Sequence, residues 1–139
     1  MKYLIDANVL ISAILFPNGN PAKALAKAKE RSVRMVVCEY TLEELERVFR
    51  FKFPEFLDEM KTFVRLLAAD VEIMPTPSER FAVRREQKVR DVKDRPVVRA
   101  AVTGRAGGIV TGDKDLLESG IKRPQMITIA RFLEKLEQI

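Results

Sequence analysis

Short apolar runs alternate with longer amphipathic stretches along this chain, and that alternation restricts its fold more than any other feature. Strands at 2–5, 33–38, 71–74, 108–111 and 126–129 would be separated by helices at 9–15, 21–31, 41–51, 54–68, 78–89, 94–105, 113–118 and 130–137. Strands alternating with helices form βαβ units, so an α/β fold is expected, with a mainly parallel central sheet of four to five strands flanked by helices. No repeat, low-complexity tract or linker divides the 139 residues, which read as one domain spanning 1–139. The apolar N-terminal run carries Asp6 inside it and lacks a small-residue cleavage site. It reads as a core strand entering a helix, neither a signal peptide nor a membrane span, and implies a soluble, cytoplasmic protein.

In a parallel α/β sheet the carboxyl ends of the strands and the amino ends of the following helices share one edge, where ligands bind. Four separated segments each deliver an acid to that edge. Asp6 closes the first strand, Glu44 falls in the first turn of a helix beginning near Thr41, Asp94 opens the helix that follows it, and Asp113 and Asp115 follow a late strand. Helix capping explains most of these singly: Asp6, Asp94 and Asp113 or Asp115 as N-caps, and Thr41-x-x-Glu44 as a capping box. It does not explain an aspartate ending an apolar first strand, where burial is costly without a partner. Carboxylates converging without a basic partner suit a hard cation such as Mg²⁺ or Mn²⁺, which takes oxygen ligands and acts on phosphate esters.

The chain contains no histidine and one cysteine, Cys38. Ser-His-Asp catalysis, Cys-His catalysis and histidine-bound zinc are therefore excluded, and no internal disulfide framework exists. The net charge of +5 resides wholly between Glu79 and Arg105, where nine basic residues face four acids. That segment is either a solvated helix face or a polyanion footprint. Read as a footprint, it offers Arg84, Arg85, Lys88, Arg90, Lys93 and Arg95 to nucleic acid.

At the acidic positions the chain resembles the PIN-domain family. The first strand running into Asp6-Ala-Asn8-Val9-Leu10 is similar to its first motif, and Leu42-Glu43-Glu44-Leu45 with Val48 to its second. Asp94-Arg95-Pro96-Val97-Val98 with Ala100-Ala101 resembles the third, and the stretch from Ile109 through Thr111-Gly112-Asp113-Lys114-Asp115 to Leu117 resembles the fourth. The resemblance implies a three-layer Rossmann-like fold and a Mg²⁺- or Mn²⁺-dependent ribonuclease site built from Asp6, Glu44, Asp94 and Asp113. It further implies support from Asn8, Ser12 and Thr111, with Asp115 as a fifth acid. Length and spacing are similar to the prokaryotic toxin components of toxin–antitoxin pairs. The implied partners are RNA, a second copy of the chain and an antitoxin protein, with no membrane. Cys38 stands where related sequences often carry serine, and Glu46 flanks the same apolar stripe as Glu44, so helical phase alone does not choose between the two acids.

Two other classes fit less well. A non-catalytic RNA-binding module of the same fold would be free to lose carboxylates. A receiver-type phosphoryl switch needs its acceptor aspartate on a central strand and a lysine on a late one, and the Asp6 motif comes too early for that. The helix at 54–68 presents Phe56, Leu57, Met60, Phe63, Leu66 and Leu67 as a wide apolar face, read as core.

Overall fold

β1 (Lys2–Ile5) is the middle strand of a five-stranded sheet in a computed structural model that describes the whole chain, Met1–Ile139. β2 (Arg34–Cys38), β3 (Glu72–Met74), β4 (Gly108–Val110) and β5 (Gln125–Ile127) complete it in the order β3-β2-β1-β4-β5. Every neighbouring pair is parallel, with Leu4 beside Val36 on one side and Ile5 beside Val110 on the other. The chain builds outward from β1 through β2 to β3, then returns to β1's other side for β4 and β5. This reversal opens a crevice at the carboxyl ends of β1 and β4, the position at which sheets of this kind take ligands.

The strands read as continuous apolar runs because helices cover both faces. Tyr3 and Ile5 point into the larger core with α1 (Ala7–Leu15), α2 (Asn20–Glu30), α3 (Glu39–Lys52), α4 (Leu57–Leu67) and α7 (Ile129–Glu137). Leu4, Val36 and Ile109 point the other way, against α5 (Arg95–Thr103) and Leu116 of the four-residue α6 (Lys114–Leu117). No helix is long and apolar enough to cross a membrane. Of the six apolar residues on 54–68, five pack into or against the larger core and only Leu66 stays exposed. The first turn of that stretch, Pro54–Phe56, is a 3₁₀ turn and not α-helix.

Two stretches differ from the sequence reading in ways that bear on the site. The helix expected at 78–89 is instead two 3₁₀ turns, Glu79–Phe81 and Arg84–Lys88, joined through extended residues. Inward-facing Val83, Glu86 and Val89 recur every third residue, the period of a 3₁₀ turn and not of an α-helix. Glu86 anchors the segment: its carboxylate accepts from Arg99 Nη2 at 2.7 Å, from Arg99 Nε at 3.1 Å and from the Val83 amide at 3.2 Å.

The second difference is the start of α3, at Glu39 and not Thr41. Thr76, in the loop after β3, supplies the cap that the local sequence lacks, its hydroxyl accepting the Tyr40 amide at 2.8 Å. Thr41 is consequently inside the helix, buried, with its hydroxyl unpaired. Glu44 therefore lies in the second turn, and the capping box does not form.

Candidate active site

Asp6 ends β1 as the N-cap of α1, and its side chain is 5% exposed in a polar nest assembled from both halves of the sheet. One carboxylate oxygen accepts the Ala7 amide at 2.9 Å. The other accepts the Thr111 hydroxyl at 2.7 Å and the Asn8 amide nitrogen at 3.1 Å. Asn8 also reaches across to the end of β4, its carbonyl accepting the Gly112 amide at 2.9 Å. The Thr111 hydroxyl, while donating to Asp6, accepts the Asp113 amide at 3.0 Å. Asn8 and Thr111 thus orient Asp6 and the turn that carries Asp113. Burial raises the Asp6 carboxyl above its ordinary value, the Thr111, Ala7 and Asn8 hydrogen bonds oppose this, and the charge of Asp113 adds to it.

Asp113 caps α6 with one oxygen, accepting the Asp115 amide at 2.8 Å. Its carboxyl lies near enough to that of Asp94 to raise it. Asp94 occupies the N-cap position of α5 yet has helical backbone angles and makes no capping bond. Partial burial and the adjoining Asp113 carboxyl, then the charges of Asp6 and Asp91, push Asp94 up to about 8. Two carboxyl groups in this geometry at neutral pH need either a shared proton or a cation between them.

Glu44 approaches from α3. Its carboxyl is raised by partial burial first and then by the charge of Asp6, against the opposing charge of Arg47, with Asp113 and Asp91 adding to the rise. Glu46 points elsewhere, accepting from Arg50 Nη2 at 2.8 Å on the exposed side of α3. The structure thereby separates two acids that helical phase left equivalent. Ser12 lies a turn further along α1 and makes no side-chain hydrogen bond to the acids.

The only three acids whose oxygens all lie within 4.8 Å of one another are Asp91, Asp94 and Asp115, so no three of Asp6, Glu44, Asp94 and Asp113 converge as closely. Asp115 is already paired with Arg90, at 3.0 Å, whereas Asp6, Glu44, Asp94 and Asp113 have no ion pair. The inner four are therefore the less neutralised set. Asp91 escaped the sequence reading, although its spacing of three from Asp94 across a 3₁₀ turn, Val92–Asp94, places both acids together. Tyr40 was also missed. It lies one helical turn before Glu44, donates its hydroxyl to the Lys93 carbonyl at 2.6 Å, and so joins α3 to the Asp91–Asp94 turn.

The donor set is one of carboxylates, hydroxyls and an amide. Cys38 is buried in the smaller core, and its thiol has one polar partner, the Thr76 hydroxyl at 3.4 Å. Oxygen donors carrying excess negative charge fit Mg²⁺ or Mn²⁺ and disfavour softer metals.

Six basic positions flagged in the sequence do not form one patch. Lys88 and Arg90 line a cleft beside Asp115, Arg95 turns inward to the Val89 carbonyl at 3.1 Å, and Arg85 reaches the opposite end of the sheet. Arg84 and Lys93 are exposed. Thr111→Val should keep the shape of the β4 end but leave Asp6 and the Asp113 amide without their shared hydroxyl. A 10–100-fold loss of divalent-cation affinity is expected, read by calorimetric titration.

Residues 2–115 match the family model described as PIN domain. An uncharacterized protein of Methanocaldococcus jannaschii is 31% identical over 120 residues, which cover 84% of this chain and 74% of that protein. Among solved structures, VapBC2 from Rickettsia felis, bound to a DNA fragment from their promoter, superposes with a TM-score of 0.64 at 15% identity. That match covers 92% of this chain and 97% of the other. A Pyrobaculum aerophilum protein superposes with a TM-score of 0.67 at 16% identity, covering 100% and 91% respectively. At such identities the two structures speak to the fold alone.

Proposed function

The chain belongs to the PIN-domain family, and from that premise we propose that it is a metal-dependent endoribonuclease acting at the Asp6, Glu44, Asp94 and Asp113 cluster. PIN domains are generally nucleases. The observation that carries the reading is the gathering of acids from β1, α3, α5 and the end of β4 at one edge of the sheet, with none of Asp6, Glu44, Asp94 and Asp113 in an ion pair. A bound Mg²⁺ or Mn²⁺ would supply charge neutralisation and Lewis acidity at a scissile phosphate.

Asp6, Asp94 and Asp113 would hold that ion. Asn8 and Thr111 keep Asp6 pointed at it by occupying the oxygen that faces β4. Glu44, its carboxyl raised by burial, is suited to orient a water and take its proton at a carboxylate oxygen. Asp115 and Asp91 form the outer edge, with Arg90 compensating Asp115.

The deciding experiment is cleavage of a mixed panel of structured and single-stranded RNAs, with Mg²⁺ or Mn²⁺ and with EDTA. Cleavage should require the ion and stop on chelation. RNA binding without cleavage in every ionic condition would replace this reading with that of a non-catalytic module.

The ion and the proton on the Asp94–Asp113 pair compete for one site. Cation binding at pH 7 should therefore release about one proton and tighten as pH rises toward 8, flattening above it. Calorimetry in buffers of different ionisation enthalpy measures the number released, and a value of zero would contradict a shared proton.

The fold likeness to VapBC2 extends the reading to a toxin of a toxin–antitoxin pair, with an antitoxin segment covering the acid rim and a second copy as dimer partner. Light scattering that returned a monomer at every concentration would remove the dimer from it.

A further inference from the structure

At the amino ends of the strands, opposite the acid rim, lies a pocket of about 530 Å³. Arg85, Arg105, Lys122 and Arg123 line it, and no acid does. None of the four takes part in an ion pair. Four cations around a single concavity that holds no acid make a focused positive field. Arg85 is held in place, its guanidinium donating to the Arg123 carbonyl at 2.7 Å.

A second cleft, of about 240 Å³, adjoins the acid rim; Lys88, Arg90 and Lys114 line it together with Asp115, Glu118 and Ser119, three cations against two acids. Of the cations only Arg90 is engaged by an acid, Asp115. The two clefts share one element: the 3₁₀ turn Arg84–Lys88 puts Arg85 into the far pocket and Lys88 into the near one. Five residues of 3₁₀ turn advance about 10 Å, so the turn is a short cationic bridge between them.

The geometry points to a phosphate-binding track. A single RNA strand engaged at the acid rim passes over Lys88 and Lys114, follows the Arg84–Lys88 turn, and seats its backbone in the pocket of Arg85, Arg105, Lys122 and Arg123. The occupant is a polyphosphate chain and not an isolated anion, because the two clefts are joined by cations along one turn. The track reads the backbone only: no aromatic side chain or amide donor lines the near cleft, and the far one offers a single amide, Gln125. Binding through it is accordingly independent of base sequence. The identification of RNA as the strand rests on the ribonuclease reading above.

The test is binding of a labelled single-stranded oligoribonucleotide in EDTA, where no cleavage intervenes and failure of the nuclease reading leaves the result intact. Arg85→Ala/Lys122→Ala should bind on the order of tenfold more weakly. Its slope of log affinity against log salt should shrink by about one per cation removed. Lys122→Glu alone, at a residue with no hydrogen bond or ion pair to lose, should weaken binding comparably with an unchanged melting temperature. Lys23→Ala/Lys52→Ala, on exposed residues of α2 and α3, serves as the control and should match wild type. In lysine acetylation, RNA should shield Lys122, Lys88 and Lys114 while leaving Lys23 and Lys52 reactive. Unchanged affinity and slope in both pocket variants, or an unshielded Lys122, would overturn the track. So would displacement of the RNA by a nucleoside triphosphate at equal phosphate concentration, which would make the pocket a small-anion site.

Discussion

Asp94→Asn is expected to lose cleavage by on the order of a thousandfold or more, several kcal/mol of barrier, while making the cation-free protein more stable at neutral and alkaline pH. The two effects have one origin. Asp94 takes a carboxyl with an ordinary value of 3.8 to about 8, chiefly through burial and the adjoining Asp113. Between those values the folded chain holds a proton that the unfolded chain has lost. This contribution to stability is complete below the unfolded value and disappears as pH rises through about 8, so the cation-free wild type should weaken from pH 5 to pH 9. An asparagine amide can donate to Asp113 at any pH, which removes both the penalty and its pH slope. Denaturant melts of both proteins in EDTA across that range measure the difference, and an equal slope in the variant would refute the shared-proton account. Asp6→Asn should also abolish cleavage without the same gain. Asp6 already accepts three hydrogen bonds, and an amide nitrogen at either oxygen position would face a donor.

Arg99→Met should cost about 3–5 kcal/mol and lower the melting temperature by roughly 10–20 °C, with no direct contact to the acid rim. Arg99 and Glu86 are 7% and 2% exposed, joined by two parallel hydrogen bonds, and Arg99 additionally donates to the Pro77 carbonyl at 3.1 Å. Removing the guanidinium strands a buried carboxylate and frees the segment that carries Arg85, Lys88 and Arg90. Burial alone would raise Glu86, but the hydrogen bonds from Arg99 and Val83 and the Arg99 charge hold it below its ordinary value. Its stabilisation is present at neutral pH and is lost as pH falls through the folded value. Thermal melts of Arg99→Met beside Arg99→Met/Glu86→Met test the assignment. The double variant should recover much of the loss, since a buried pair replaced whole by apolar side chains is often neutral. A double variant as unstable as the single would mean that Glu86 is not the group left uncompensated.

The sheet, and the place of Asp6 and Asp113 at the ends of strands, were legible because they depend on local pattern. Five apolar runs gave five strands, and an aspartate after an apolar run marks a strand end whatever lies around it. Glu44 needed more, since the sequence offered both a capping box and Glu46. A hydroxyl from Thr76, 36 residues from the amide it caps, displaced the capping box, and the pairing of Glu46 with Arg50 set that acid apart. The basic segment was only partly legible for a similar reason. Charge along a sequence does not distinguish Arg99, spent on an internal partner, from Arg85, held open toward solvent. Residues 78–89 have helical composition, yet their inward positions recur at three and not 3.6, and the burial of Glu86 that settles the matter comes from α5. Asp91 and Tyr40 were invisible because each acts across a turn whose shape no local motif announces.

Of the five strands the central one is made first, yet it gains its second neighbour only after β2 and β3 are in place. Thr111 and Asp6 are 105 residues apart, and the strand that brings Thr111 to β1 must be synthesised before either side chain has its partner. While the chain is still being translated, β1 can pair with β2, but the crevice lacks its far wall and Asp113 is missing. A nascent chain therefore cannot assemble the cluster until translation has passed Asp113. For a nuclease, this ordering would spare the transcript and the ribosome carrying it during the interval when both are nearest.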